Sequence, residues 1–309
     1  MKVAVVGCGA MGSVYAALLA AAGHDVWAID TWAAHVEAIR SRGLRLEGAS
    51  GDRTLRMQAS TQTADAGPCD LVVVATKVMH TAQAASALPP LMGEGTVVVS
   101  IQNGIGGPAA VAAVVGEARV VVGVVGGFGA TIRAPGHAHH AGWELLLLGE
   151  CAGAVTPRLE ALAALWREAG FQVRCSDDID QLVWEKLVCN VAFSGPCALT
   201  ESLIGEVIGD ADLWSLASGC VEEAFSVARA RGTRLGFDDP VAHVRAFGLR
   251  FADSRPSMLL DHMARRLSEV DAINGAIAPA ALAVGLTAPC NEAVAALIRA
   301  RERRLGLRP

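Results

Sequence analysis

The 309-residue chain has no C-x-x-C pair, no tandem repeat, no low-complexity linker and no excess of basic residues. Its eight cysteines are scattered singly, so none of the spacings that hold structural zinc is present. An even count without a secretion signal is poor ground for disulfides, and most of these thiols read as small core residues. No apolar run approaches the ~20 residues that a membrane span requires; the stretch Val120 to Val125 is far too short. The N-terminus offers one lysine and then a strand, Val3-Ala4-Val5-Val6, in place of a signal peptide. A cytoplasmic protein without a membrane partner is expected. The formal charge of −5 speaks against nucleic acid, because phosphate binding needs a basic surface. The cluster Arg299, Arg301, Arg303 and Arg304 suits the negative end of a helix.

What is present is apolar: 52% of residues are hydrophobic, as a parallel sheet buried on both faces demands. Much of that content is alanine, a strong helix former that adds little apolar area. Short buried strands are expected at Val3–Val6, Asp25–Asp30, Leu71–Ala75 and Val97–Ser100, with helices at Ala10–Ala22 and Trp32–Arg40 between them. Leu44–Glu47 and Thr54–Met57 read as a hairpin or short paired strands, and 119–148 as further strands completing the first domain. A helix over Pro157–Glu168 and an edge strand at Phe171–Cys175 follow. Beyond Asp177 the pattern is helical, with candidates at Ile179–Phe193, Asp212–Arg231, Pro240–Phe247, Ser257–Asn274 and Asn291–Arg304. The fold class is therefore α/β, a Rossmann-type parallel-sheet domain at 1–175 and an all-helical domain at 176–309. Alanine-rich helices suit a core or a homodimer interface equally well.

Gly7-Cys8-Gly9-Ala10-Met11-Gly12 is a G-x-G-x-x-G motif placed after the first strand and running into the first helix. Gly7 permits the tight turn, Gly9 lets the backbone approach a pyrophosphate, and Gly12 lets helix and sheet pack closely. The free N–H groups of the helix start then face phosphate charge. Asp30 ends the second strand eighteen residues after Gly12, the context that the dinucleotide fingerprint needs. A nicotinamide dinucleotide is the expected cofactor, with a flavin as the alternative use of this fold. A carboxylate at Asp30 suits the ribose 2′-OH of NAD and repels the 2′-phosphate of NADP, which favours NADH.

Lys186, Asn190 and Ser194 recur at i,i+4 spacing and line one stripe of a helix. A lysine beside a carbonyl can polarise it and deliver a proton as hydride arrives, and an amide can hold a substrate oxygen. An ordinary surface lysine fits the pattern equally well. Glu269 could orient that lysine, or merely balance Arg265 on a solvated face. In a straight helix Ser257 and Glu269 would stand ~18 Å apart, so both reach one small ligand only if the chain bends. His137, His139 and His140 show no nearby carboxylate and read as a polar loop, so no metal is expected. Gly123, Gly126, Gly127 and Gly129 lack the lysine and hydroxyl of a triphosphate loop and read as close strand packing.

These residues resemble the ketopantoate reductase family. The matching stretches are the glycine motif, Thr76-Lys77, Gln102-Asn103-Gly104-Ile105-Gly106, Trp184-Glu185-Lys186-Leu187 with Asn190, and Ser257-Met258-Leu259 through Glu269-Val270-Asp271 with Asn274. The resemblance implies reduction of 2-dehydropantoate to (R)-pantoate in pantothenate biosynthesis, usually with NADPH, and substrate held between the two domains. It implies Lys186 as the general acid and Glu269 as its catalytic partner. Asn103, Asn190 and Ser257 would bind substrate, with Lys77 and Asn103 by the cofactor.

Two departures qualify the transfer. Ser194 stands where the family commonly has a second asparagine, and a hydroxyl offers fewer hydrogen bonds over a shorter reach. Together with Arg255, a second carboxylate binder in prospect, it keeps another 2-oxo acid or an opine-like substrate open. Asp30 is the other, set where the family more often offers a basic environment. A non-catalytic nucleotide sensor is the reading from a different class, and the pairing of Lys186 with Glu269 weighs against it.

Overall fold

The computed structural model describes residues 1–127, 129–142 and 145–309. Phe128, Trp143 and Glu144, within the strand-rich stretch expected over 119–148, lie outside the described residues. The chain divides into two compact units, one of residues 1–102 with 106–179 and one of 103–105 with 180–309.

The first unit runs β1 (Lys2–Val6), α1 (Ala10–Ala21), β2 (Asp25–Ile29), α2 (Ala33–Arg42), β3 (Leu44–Gly48), β4 (Arg53–Leu55), β5 (Gln58–Ser60) and β6 (Cys69–Val74). It continues through α3 (Thr81–Ser86), β7 (Met92–Ser100), α4 (Gly107–Val115), β8 (Val120–Val125), β9 (Gly129–Ala134), β10 (His137–Gly142), β11 (Leu145–Glu150), α5 (Pro157–Glu168) and β12 (Gln172–Ser176). Eight strands form the main sheet in the order β12-β11-β8-β7-β6-β1-β2-β5. Its centre is built as the apolar runs require. Val3, Val5, Leu71, Val73 and Val99 are buried on one face, and Ala4, Val72, Val74 and Val98 on the other. Side chains alternate across a strand, so covering both faces leaves no room for a polar alternation.

The sheet is parallel from β5 to β8, as expected, and carries one antiparallel pairing towards its edge, where β11 pairs with β8. The hairpin of β3 and β4 does form, but it does not extend the main sheet. It joins β10 and β9 in a separate four-stranded sheet in the order β4-β3-β10-β9. Of the strands expected over 119–148 to complete the first domain, β8 and β11 join the main sheet and β9 and β10 the second one. At Gly123 of β8 a Cβ would come within 3.0 Å of the Ile101 side chain, which accounts for that glycine by packing alone.

The second unit is helical: α6 (Ile179–Thr200), α7 (Ile204–Gly209), α8 (Ala211–Ala230), α9 (Pro240–Arg250), α10 (Ser257–Met263), α11 (Asn274–Ala283) and α12 (Pro289–Arg304). Its core gathers Trp184, Leu187, Val188 and Val191 of α6 with Val221 and Ala224 of α8 and Val294 and Ile298 of α12. The single helix expected over Ser257–Asn274 is broken. α10 stops at Met263, and Arg265 takes a φ of +52°, left-handed backbone that ends a helix. A short 3-10 turn, Val270–Ala272, leads into α11. The separation of Ser257 and Glu269 is therefore not that of a straight rod. Among the described residues no helix is long and apolar enough to cross a membrane.

Candidate functional site

In the first unit the glycine motif forms the turn from β1 into α1. Gly7 N–H and Cys8 N–H both donate to the Ile29 carbonyl of β2, at 2.9 and 3.1 Å. Gly7 has a φ of +87°, and a Cβ there would lie 2.6 Å from Thr76. A Cβ on Gly12 would sit 2.1 Å from the Gly7 carbonyl oxygen, so only glycine lets the helix start fold back on the turn. At Gly9 the opposite holds: a Cβ would meet nothing within 4 Å. That open space lies at the start of a twelve-residue helix with no side-chain cap and no acidic residue in its first turn. Uncapped N–H groups beside an open approach fit a pyrophosphate.

Cys8, among the expected cofactor residues, can serve only through its backbone. Its side chain is fully buried, and burial pushes the thiol up to about 12. Ala10 and Met11 begin the helix and stay partly exposed. A contact that sequence reasoning passed over braces this turn. His35 of α2 is fully buried. Its Nδ1 accepts the Gly136 N–H at 3.0 Å, so the proton sits on Nε2, 3.3 Å from Ser13 Oγ. Ser13 Oγ in turn donates to the Cys8 carbonyl at 3.1 Å. Burial lowers the His35 pKa and keeps the ring neutral.

Asp30 follows β2 directly. Its Oδ1 accepts the Trp32 N–H at 2.8 Å, which holds the carboxylate in a fixed turn. Lys77 lies just after Thr76 and is partly exposed ahead of a short 3-10 turn, Val78–His80.

The second unit brings three expected residues together. Lys186 Nζ donates to Asn103 Oδ1 at 2.7 Å, and Asn103 Nδ2 lies 3.4 Å from Glu269 Oε2. The loop carrying Asn103 is seated by Ile105 N–H donating to the Ala272 carbonyl at 3.1 Å. Gly104 makes that approach feasible: its φ is +77°, and a Cβ would come within 2.1 Å of the Ala272 oxygen. Glu269 is 5% exposed and stands outside any α-helix, so the solvated i,i+4 partner of Arg265 is ruled out. Burial lowers the Lys186 pKa to about 8, while the Glu269 carboxylate pulls it upward. An ammonium near neutrality, hydrogen-bonded to an amide and close to a carboxylate, is suited to give up a proton at physiological pH.

Asn190 and Ser194 continue the α6 stripe, the first partly exposed and the second buried at 4%. Ser257 opens α10 and is exposed. These three stand outside the hydrogen-bonded chain of Lys186, Asn103 and Glu269. Asn274 ties elements of the helical core together. Its fully buried amide donates to the Val191 carbonyl of α6 and to Asn291 Oδ1 of α12, at 2.9 and 3.0 Å.

The histidines on β10 do have a carboxylate neighbour, contrary to expectation. Glu47 of β3 lies 3.1 Å from His137 Nε2 and 3.5 Å from His139 Nδ1. Cross-strand pairing supplies it from ninety residues away, beyond what local spacing reveals. Arg45 and Arg133 also reach Glu47, and the described residues form no cluster of three side chains able to hold a metal ion.

Comparison with known proteins extends over nearly the whole chain. Residues 3–153 match the family model for ketopantoate reductase PanE/ApbA, and residues 178–302 match its C-terminal counterpart. A 2-dehydropantoate 2-reductase from Archaeoglobus fulgidus is 31% identical, covering 97% of this chain and 98% of its own. The crystal structure of a PanE/ApbA family ketopantoate reductase from Ralstonia eutropha JMP134 superposes with a TM-score of 0.91 at 32% identity, covering 99% of this chain and 100% of that one. A D-mandelate dehydrogenase solved in complex with NADH reaches a TM-score of 0.90 at 26% identity, covering 99% and 100%.

Proposed function

The chain belongs to the ketopantoate reductase family, and on that premise we propose that it reduces 2-dehydropantoate to (R)-pantoate, with Lys186 as the general acid. The observation that carries this reading is the Lys186–Asn103–Glu269 chain. It puts a lysine with a lowered pKa within 2.7 Å of an amide that can hold it in place. A bound NAD(P)H supplies the hydride. As negative charge develops on the substrate oxygen, the Lys186 ammonium stabilises it and transfers its proton. Asn103 spends its carbonyl oxygen on Lys186 and points its amide towards Glu269, which fixes the orientation of the lysine before substrate arrives. Glu269 keeps Lys186 protonated by opposing the effect of burial. Asn190 and Ser257 hold the oxygen-rich end of the substrate, and Ser194 shapes the pocket.

The first unit binds the cofactor through Gly7, Gly9 and Gly12 and the backbone of Cys8, Ala10 and Met11. Lys77 lies alongside. NADH is the preferred form, because the Asp30 carboxylate, held by the Trp32 N–H, would meet a 2′-phosphate as charge against charge. Steady-state reduction of 2-dehydropantoate with NADH and NADPH in parallel tests both parts; no turnover with either would overturn the substrate assignment.

A second reading is reduction of a different 2-oxo acid. Ser194 in place of an amide favours it, as does the likeness to a D-mandelate dehydrogenase. A panel of branched and aryl 2-oxo acids distinguishes the two by kcat/KM. The protein acts in the cytoplasm on a small-molecule substrate.

A further inference from the structure

One buried ionised group in the second unit takes no part in that reaction scheme. Glu302 of α12 is fully buried, and so is the side chain of its neighbour His262. Glu302 Oε1 accepts both the backbone N–H of Ser268, at 3.0 Å, and the Ser268 hydroxyl, at 2.6 Å, with His262 Nε2 at 3.4 Å. Its Oε2 accepts Arg308 Nε at 3.0 Å. Arg308 also donates through Nη2 to Asp271 Oδ2 at 2.6 Å, while Arg299 Nε donates to Asp271 Oδ1 at 2.7 Å.

These bonds bracket one residue. Ser268 precedes Glu269 and is held at both its backbone and its side chain. Asp271 lies two residues beyond and is held by two arginines. Arg308 closes the bracket by binding the anchors on both sides. Beyond it, the Ala272 carbonyl receives the Asn103 loop through Ile105 N–H. Stability alone does not explain this arrangement, since well-packed apolar side chains commonly replace a buried ion pair at no cost. Directional bonds to a backbone N–H do what apolar packing cannot, which is to fix a segment's path.

We infer that Glu302 and Arg308 are positioning residues, which clamp the Ser268–Ala272 segment so that Glu269 faces Asn103 and Lys186. This rests on the proposed roles of Lys186 and Glu269. Relaxing the clamp lets the carboxylate drift, and a misplacement of about 1 Å can cost as much as a hundredfold in rate.

The test compares Glu302→Gln, Arg308→Gln and Arg308→Lys with Glu269→Gln and Lys186→Ala, all in the full chain, using 2-dehydropantoate and the better cofactor. Glu302→Gln and Arg308→Gln should lower kcat about ten- to a hundredfold and leave the cofactor KM within about twofold. Both should move the alkaline limb of the pH profile to lower pH, as Glu269→Gln does, because the charge that sustains Lys186 protonation is no longer held near it. Arg308→Lys should recover part of the loss. A merely structural ion pair would lower Tm and leave kcat and the alkaline limb of the folded enzyme unchanged, and that result overturns the inference. If Glu302→Gln does not fold, Arg308→Gln, altered at a partly exposed side chain, decides by the same two readouts. Full turnover by Lys186→Ala and Glu269→Gln would instead overturn the reaction scheme, and the positioning role would fall with it. Loss in those two but not in the clamp variants refutes the clamp alone.

Discussion

Lys186 Nζ and Asn103 Oδ1 stand 2.7 Å apart, an ammonium donating to an amide that comes from a loop eighty-three residues earlier in the chain. Burial lowers the Lys186 pKa to about 8, against the pull of Glu269. A general acid works only while protonated. The kcat/KM for ketone reduction should therefore be level below about pH 8 and fall tenfold per unit above it. Oxidation of the alcohol needs the neutral amine and should rise through the same value. A reduction rate that stays flat to pH 10 would remove Lys186 from the acid's role. Lys186→Ala should lose about 10²- to 10⁴-fold in kcat.

Glu269 acts on that ionisation with a known sign. Its carboxylate raises the Lys186 pKa while burial lowers it. Glu269→Gln keeps the shape and removes the charge, so the alkaline limb should move to lower pH. Activity measured well below the limb reports any separate role at the substrate. An unmoved limb would mean that Glu269 does not sense Lys186.

How much of this the sequence discloses depends on the range of the cause. The glycine turn is legible because its three constraints, a positive φ at Gly7, an open approach at Gly9 and a close contact at Gly12, act within six residues. The stripe of Lys186, Asn190 and Ser194 is legible for the same reason, since helical spacing is local. The break at Arg265 is not, because the 258–274 stretch keeps an apolar periodicity across it and no proline or glycine marks the turn. Pairings supplied from afar stay hidden altogether. Glu47 reaches the β10 histidines, His35 reaches the glycine turn, and Glu302 reaches Ser268, and each depends on a fold that spacing alone does not specify.

The glycines of the turn should separate binding from stability. Gly9 has a φ of −73°, outside the left-handed region that favours glycine, and open space where its Cβ would point. Gly9→Ala should leave the Tm of the cofactor-free protein nearly unchanged and weaken dinucleotide binding by about tenfold, equivalent to ~1.4 kcal/mol. Gly12→Ala forces a Cβ to within 2.1 Å of the Gly7 oxygen, so the backbone must move. It should lower stability by about 1–3 kcal/mol before any cofactor is added. Thermal unfolding with and without NADH reads both effects. Equal destabilisation by the two substitutions would argue that the open space at Gly9 has no ligand to admit.

Asp30 should set the choice of cofactor. Its carboxylate accepts one backbone N–H at a partly exposed turn, so Asp30→Ala removes the charge at small structural cost. The kcat/KM ratio of NADH to NADPH should exceed one in the parent chain and fall about tenfold or more in the variant, chiefly through a lower KM for NADPH. A parent chain that prefers NADPH, with a ratio indifferent to Asp30→Ala, would show that the 2′-phosphate is accommodated elsewhere.

Glu302 carries a pH signature of its own. Burial pushes its pKa up, but hydrogen bonds from His262, Ser268 and Arg308 outweigh that and bring it to about 2, from an ordinary 4.5. A carboxylate whose folded pKa is depressed contributes stability that is fully present above its unfolded value and is lost as pH falls through the folded one. The contribution should therefore hold at neutral pH and decline from about pH 4.5 towards pH 2. Glu302→Gln removes the ionisation. Urea midpoints of parent and variant should differ most at pH 6, with the parent higher, and converge as the pH drops through this window. A difference that stays constant down to pH 3 would mean that the variant loses packing and not a charge, and that the bonds to Ser268 are sustained without ionised Glu302.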